Sequence, residues 1–297
     1  MPVLSDSAAA VIQYMHSERE HMQERKYRKF CFFDIDGTLA VGRPGIDQYV
    51  PASVAEALRK LRENGHFTAI ATGRSHAMAY GKMIELGFDN MVSDGGWGLT
   101  VGGELRELQA LDYQACLDLV EECREKDYIW AIQPYDSDTR FAPDGRFYAA
   151  TGDSYMKTQA IEGLDPRDYP QIYKMYIACP PGSEYALDAL KRLPWCRYHD
   201  SYIFVEPTEK EKGIARMVEM LGGRTEDVVV FGDGPNDLSM FTDQWTCVAV
   251  GNAVPELKAK ASFVTKNADD DGIYHACVHL GLFSDPEYEK RNGVSQL

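Results

Sequence analysis

No run of eighteen apolar residues occurs anywhere in the chain, so no segment is expected to cross a membrane as a helix. The first residues carry no long apolar stretch, and secretion is not expected either. Cysteine is sparse. The seven residues, at 31, 116, 123, 179, 196, 247 and 277, make an odd total with no C-x-x-C spacing. That pattern argues against a disulfide framework or a zinc site and predicts reduced thiols in a cytoplasmic protein. The seven His show no ligand spacing. Positive charge is also short. Lys and Arg number 31 against 46 Asp and Glu, giving a net charge of −15. Nucleic acid and anionic membranes need a basic footprint, so neither is an expected partner. An anionic small substrate stays compatible, because local charge and a bound metal govern that. Internal repeats and low-complexity tracts are absent.

What is present is enough for a sizeable core: 297 residues, 44% hydrophobic, a length that suggests two domains. The chain is organised around Phe30-Cys31-Phe32-Phe33-Asp34-Ile35-Asp36-Gly37-Thr38. An apolar, aromatic-rich run stops at two carboxylates spaced i, i+2. Such a run reads as a strand buried on both faces, as parallel sheets require. Asp34 then sits at the carboxyl end of a strand, where open α/β sheets bind ligands. Two acids there are costly unless a cation or hydrogen bonds neutralise them.

Residues 1–28 are polar, with Val11, Ile12, Tyr14 and Met15 on a loosely helical spacing, and are read as an N-terminal extension. Gly42-Arg43-Pro44-Gly45 reads as a loop. Residues 54–61 form an amphipathic helix ended by Gly65, and Phe67-Thr68-Ala69-Ile70-Ala71 is a second strand that stops at Thr72-Gly73-Arg74-Ser75. Strand, helix, strand, helix at this spacing predicts parallel βαβ units. Leu99-Thr100-Val101 and Glu104-Leu105-Arg106 flank Gly102-Gly103, a hairpin signal. From about 107 to about 200 the alternation breaks. Aromatics are dense, residues 128–132 and 172–177 look like strands, helices are expected around 112–125 and 183–192, and 134–170 reads mostly as loop. This is taken as a separate α+β insert. In the 172–177 strand, Tyr173 and Met175 alternate with Lys174 and Tyr176, so one face should be buried and the other wet, with Lys174 nearest any ligand. Tyr202-Ile203-Phe204-Val205 is read as the return to the α/β pattern. Asp227-Val228-Val229-Val230-Phe231 is a strand ending at Gly232-Asp233-Gly234-Pro235-Asn236-Asp237.

Three strands thus end in polar clusters on one sheet edge. If the second half returns beside the first strand, a ligand crevice forms between the strands of Asp34 and Asp233. These residue types suit phosphoryl transfer, which needs in-line attack and electrostatic clamping of three charged oxygens. Carboxylates at strand ends can hold magnesium. Lys212 and the Thr72 hydroxyl can hold phosphate oxygens.

The motifs resemble those of the haloacid dehalogenase-like hydrolases, in particular the Cof-type phosphatases with a large α/β cap inserted in the core. D-x-D-G-T stands as Asp34-Ile35-Asp36-Gly37-Thr38, T-G-R as Thr72-Gly73-Arg74, the lysine before glycine at a helix start as Lys212-Gly213, and G-D-x-x-N-D as Gly232 to Asp237. Val250-Gly251-Asn252-Ala253 and Asp271-Gly272-Ile273 match later family features. Asp94-Gly95-Gly96 departs from the usual Asn-Gly-Ala. The resemblance implies a Rossmann-like, doubly wound parallel-sheet core at 29–106 and 200–297, with an inserted α+β cap at 107–199. It implies Asp34 as the nucleophile that becomes an aspartyl-phosphate and Asp36 as general acid/base, lending its carbonyl to Mg²⁺. Asp233 would be a direct Mg²⁺ ligand, and Asp237 a supporting or alternate one. Thr72, Gly73, Lys212 and Asn236 would hold phosphate, while Arg74 receives no role. The expected activity is Mg²⁺-dependent hydrolysis of a small phosphomonoester, a sugar phosphate among the candidates. The alternatives are a phosphomutase of the same superfamily and a catalytically silent binding protein.

Overall fold

The structure, a computed structural model, describes residues 27–42 and 47–294. The expected N-terminal helix lies outside these residues. β1 (Phe30–Phe33) is buried at all four positions. α1 (Ala52–Glu63) buries Val54, Ala57, Leu58 and Leu61, the i, i+3, i+4, i+7 stripe of an amphipathic helix. β2 (Phe67–Ala71) follows, then α2 (His76–Glu85) and β3 (Met91–Ser93). β4 (Gly98–Val101) and β5 (Glu104–Leu108) form the predicted hairpin.

The chain then builds a second body. α3 (Tyr113–Glu125) is capped at its N-terminus by the Asp112 carboxylate, which accepts from the Ala115 amide. β6 (Ile129–Gln133), β7 (Thr139–Ala142), α4 (Arg146–Thr151), β8 (Lys157–Ala160), β9 (Lys174–Ala178), β10 (Cys196–His199) and β11 (Tyr202–Val205) follow. The loop reading of 134–170 therefore missed two strands and a short helix. The helix expected at 183–192 is two 3₁₀ turns.

The core resumes with α5 (Lys210–Met220), β12 (Val228–Gly232), β13 (Thr246–Ala249), α6 (Pro255–Lys260), β14 (Phe263–Val264), α7 (Gly272–His279) and α8 (Pro286–Asn292). Its eight-stranded sheet runs β14-β13-β12-β1-β2-β3-β4-β5. The first six are parallel neighbours, and the hairpin adds the two antiparallel strands. β1 lies between β2 and β12, with Phe33 opposite both Ile70 and Phe231. The strand order reverses there, so the crevice opens beside Asp34.

The second sheet has six strands in the order β10-β11-β9-β6-β7-β8. β11 pairs with β9 and β10, so Tyr202–Val205 belongs to the inserted sheet and not to the returning core. The sequence misled because this run is apolar throughout, as a central core strand would be. Here, too, both faces are buried, for a different reason. Ile203 and Val205 pack with Leu119, Trp130 and Met175 on the α3 side, while Tyr202 and Phe204 pack with Phe147 and Tyr176 on the other.

Candidate active site

Asp34 follows β1 directly, and its amide donates to the Phe231 carbonyl at 3.0 Å, which ties the end of β1 to β12. Asp233 follows β12. Gly37 turns the chain back between them with φ +85°, and a Cβ there would lie 2.2 Å from Asp233 Oδ2. Only glycine combines that conformation with that approach. The Thr38 hydroxyl donates to Asp233 Oδ1 at 2.9 Å and holds the carboxylate over the turn.

Asp34, Asp233 and Asp237 each offer a carboxylate oxygen, and these oxygens lie within 4.8 Å of one another. The Asp237 oxygens are already engaged. Oδ1 accepts from Lys210 at 2.6 Å, and Oδ2 accepts from the Asp233 and Gly234 amides at 2.9 and 3.0 Å. Asp237 therefore braces the Asp233 backbone as well as standing in the acidic group.

The cation among these acids is Lys210. Its three ammonium protons go to Asp34 Oδ1 at 2.7 Å, Asp237 Oδ1 at 2.6 Å and the Ala71 carbonyl at 3.0 Å. Lys212, the lysine expected here, is exposed and pairs with Glu209 at 2.6 Å. The correction has a geometric cause. α5 opens at Lys210, and its buried positions are Lys210, Gly213, Ile214, Met217 and Val218. That is one helical stripe; Lys212 falls off it. The phase of the helix was readable in the sequence, whereas motif matching on Lys-Gly pointed two residues too far.

Burial raises the Asp34 carboxyl well above its usual range, the Asp237 charge adds to this, and Lys210 offsets part of it. Burial and Asp237 likewise push Asp233 up to about 7. For Lys210 burial works against the charge, but Asp237 and Asp34 outweigh it, and its pKa moves upward. One ammonium faces three carboxylates, so the group carries excess negative charge and an all-oxygen donor set. Both fit a hard divalent cation.

Asp36 points into a cavity of about 270 Å³ lined also by Thr72, Gly73, Arg74, Ser75 and Asn236. Arg74, without a role in the sequence reading, clamps Asp36 with two bonds, Nε to Oδ2 at 2.8 Å and Nη2 to Oδ1 at 2.6 Å. Gln48 donates to Asp36 Oδ1 at 2.7 Å. The Thr72 hydroxyl oxygen accepts from the Arg74 amide at 3.1 Å, leaving its proton for an external acceptor. The roof comes from the inserted sheet and its loops: Tyr155, Tyr176, Tyr198, His199 and Phe204, with Lys174 and Glu206 between floor and roof. Lys174 does line the cavity, as the sequence reading placed it. The wet face expected of its strand does not exist, because Lys174 through Ile177 are all buried.

Buried carboxylates grouped around one ammonium stand at the strand ends of the core, and Asp36 beside them opens to the cavity under the aromatic roof. The class is that of capped α/β phosphatases. Sequence comparison makes this specific. The family model of the haloacid dehalogenase-like hydrolases matches residues 31–277, and the chain belongs to that family. YkrA of Bacillus subtilis (strain 168), named as a proposed phosphatase, is 32% identical over 86% of this chain and 98% of its own. A Geobacillus kaustophilus HTA426 protein described as hypothetical has a solved structure that superposes with TM-score 0.74. It is 31% identical, covering 86% of this chain and 100% of that one. The sugar phosphatase BT4131, of HAD subclass IIB, superposes with TM-score 0.68 at 25% identity over 86% of this chain and 100% of its own.

Proposed function

We propose that the protein hydrolyses a small, ring-bearing phosphomonoester, a sugar phosphate in the first instance, with Asp34 as the nucleophile. The observation that carries this is the placement of Asp34: buried at the end of the central strand, 2.7 Å from the Lys210 ammonium and grouped with Asp233. A carboxylate oxygen of Asp34 attacks phosphorus, the acyl phosphate bond forms, and the ester P–O bond breaks. Asp36 gives its proton to the leaving alkoxide. It then takes one from water, whose oxygen attacks phosphorus and releases phosphate from Asp34. Arg74 engages both Asp36 oxygens, so that pair must open before Asp36 acts as an acid.

The Thr72 hydroxyl, the Gly73 segment and Asn236 receive the phosphoryl oxygens, and Lys210, whose protons go to Asp34, Asp237 and the Ala71 carbonyl, supplies positive charge beside them. Asp34, Asp233 and the Asp36 carbonyl would hold Mg²⁺, with Asp237 in support. Bound there, the ion offsets the repulsion between Asp34 and an anionic ester. The leaving group occupies the cavity between Arg74 and the aromatic roof, where ring faces can stack on Tyr155, Tyr198 and Phe204. The sugar phosphatase BT4131 among the relatives supports this substrate class.

The test is phosphate release across a panel of sugar phosphates, nucleotides and aryl phosphates, with Mg²⁺ and with chelator. Release that Mg²⁺ restores after chelation is expected. An isomerised sugar phosphate without free phosphate would turn the reading to a mutase. No release from any ester would contradict it.

A further inference from the structure

The first turn of α2 leaves backbone amides that need acceptors. The residue in the N-cap position, Ser75, makes no side-chain cap, and its hydroxyl is buried without a partner. Two aspartates from outside the helix do the work. Asp94, at the end of β3, accepts from the His76 amide at 2.9 Å through Oδ2. Asp136, in the loop between β6 and β7 of the inserted sheet, accepts from the Ala77 amide at 2.8 Å through Oδ1. Its other oxygen lies 2.6 Å from His76 Nδ1. A carboxylate accepts, so Nδ1 carries the proton. A second reach comes from the same body. Lys174 on β9 donates to the Gly73 carbonyl at 2.8 Å and to Glu206 at 2.6 Å, and stands 3.9 Å from Asp94. Burial opposes the Lys174 charge, but Glu206 and Asp94 outweigh it.

We infer that Asp136 and Lys174 are positioning residues for the phosphate-holding segment Thr72-Gly73-Arg74. The inserted sheet grips residues 73–77 at both ends, one bond on the Gly73 carbonyl and two on the helix start. From the core, Asp94 accepts at that helix start, and backbone bonds hold the flanks of the segment: the Thr72 amide donates to the Val92 carbonyl at 2.8 Å, the Asp94 amide to the Arg74 carbonyl at 2.8 Å and the Gly95 amide to the Thr72 carbonyl at 3.2 Å. The docked cap adds the bonds at Gly73 and Ala77 and so completes the setting of the segment that receives phosphate. This rests on the proposed phosphatase reading for its kinetic consequence, but not for its structural one.

The test compares Asp136→Ala and Asp136→Asn in the full chain. Asparagine keeps an oxygen for the Ala77 amide; alanine does not. Asp136→Ala is expected to lower kcat/KM about tenfold for phenyl phosphate and for a hexose 6-phosphate alike, because the segment holds the part common to both. It should raise the inhibition constant of inorganic phosphate by a similar factor and speed amide exchange across residues 73–80. Asp136→Asn should stay within about threefold of the parent in each, and Lys174→Met should follow Asp136→Ala. Unchanged phosphate inhibition and unchanged exchange in Asp136→Ala would overturn the inference, as would equal damage in the alanine and asparagine variants. If the parent protein releases no phosphate from any ester, the phosphatase reading fails and exchange alone decides. Faster exchange at 73–80 in Asp136→Ala then supports the grip, and equal exchange refutes it.

Discussion

The Lys210 ammonium is 1% exposed and spends all its protons on two carboxylates and a carbonyl. Removing it leaves buried negative charge unpaired, which costs about 3–5 kcal/mol where such pairs are broken. Lys210→Met should therefore lose stability on that scale by urea denaturation and lower kcat/KM at least about 100-fold. Lys212→Met removes a surface pair with Glu209, of the kind worth about 0–1 kcal/mol, and should leave kcat/KM within about twofold. Equal effects of the two would contradict the assignment. For single residues, an apolar run ending in a polar cluster was enough to place Asp34, Asp36, Thr72 and Asp233 just beyond the ends of β1, β2 and β12. Lys210 needed the helical phase. Arg74 and Asp94 needed the side-chain contacts between neighbouring strand ends of the core, and Asp136 needed the docking of two sheets, neither of which a local pattern records.

Among elements, the turn after β3 shows how Lys210 is delivered. Asp94 and Gly95 both have positive φ, 50° and 58°, and the Gly95 carbonyl accepts from the Glu209 amide at 2.7 Å. A Cβ on Gly95 would lie 1.9 Å from the Pro207 carbonyl oxygen. Backbone meets backbone here, and no side chain can give way. Gly102 in the hairpin has a similar φ of 62° with nothing within 4 Å. Gly102→Ala should lose only the conformational cost, about 1–2 kcal/mol. Gly95→Ala should lose more and lower kcat as well, because the segment carrying Lys210 must shift. Denaturation and phosphate release on both variants check this; equal losses would contradict it. The β strands of the core were legible because parallel burial demands unbroken apolar runs. β7, β8 and α4 were not, since 139–160 is half-exposed and mixes Asp, Gly and Tyr with little periodicity.

At the scale of the molecule, His66 links the start of β2 to the C-terminal segment, its Nε2 donating to the Leu282 carbonyl at 2.7 Å. Nδ1 is buried without a partner, and burial holds the pKa below the ordinary 6.5. The unfolded chain then takes up this proton first. Stability from His66 is complete above about pH 6.5 and is lost as pH falls from there through the folded-state pKa, with a slope of at most about 1.4 kcal/mol per pH unit. Asp233, pushed up to about 7, acts in the opposite sense, favouring the folded chain as pH falls. The difference between the parent and His66→Asn isolates the histidine. The variant's stability should fall less between pH 7 and 5 by urea denaturation, and parallel curves would contradict the assignment. The two-body architecture itself was visible in the composition break near 107. Its far end was not, because β11 is as apolar as a core strand.

In the proposed reaction Asp34 carries the phosphoryl group between two half-reactions. Acid-quenching the protein during turnover of a phosphomonoester, treating it with borohydride and mapping the peptides by mass spectrometry checks for that intermediate. An acyl phosphate on Asp34 is reduced to homoserine, so homoserine at position 34 is expected in the parent and none in Asp34→Asn. Turnover with Asp34 unmodified, or with the phosphoryl group on another side chain, would contradict the account.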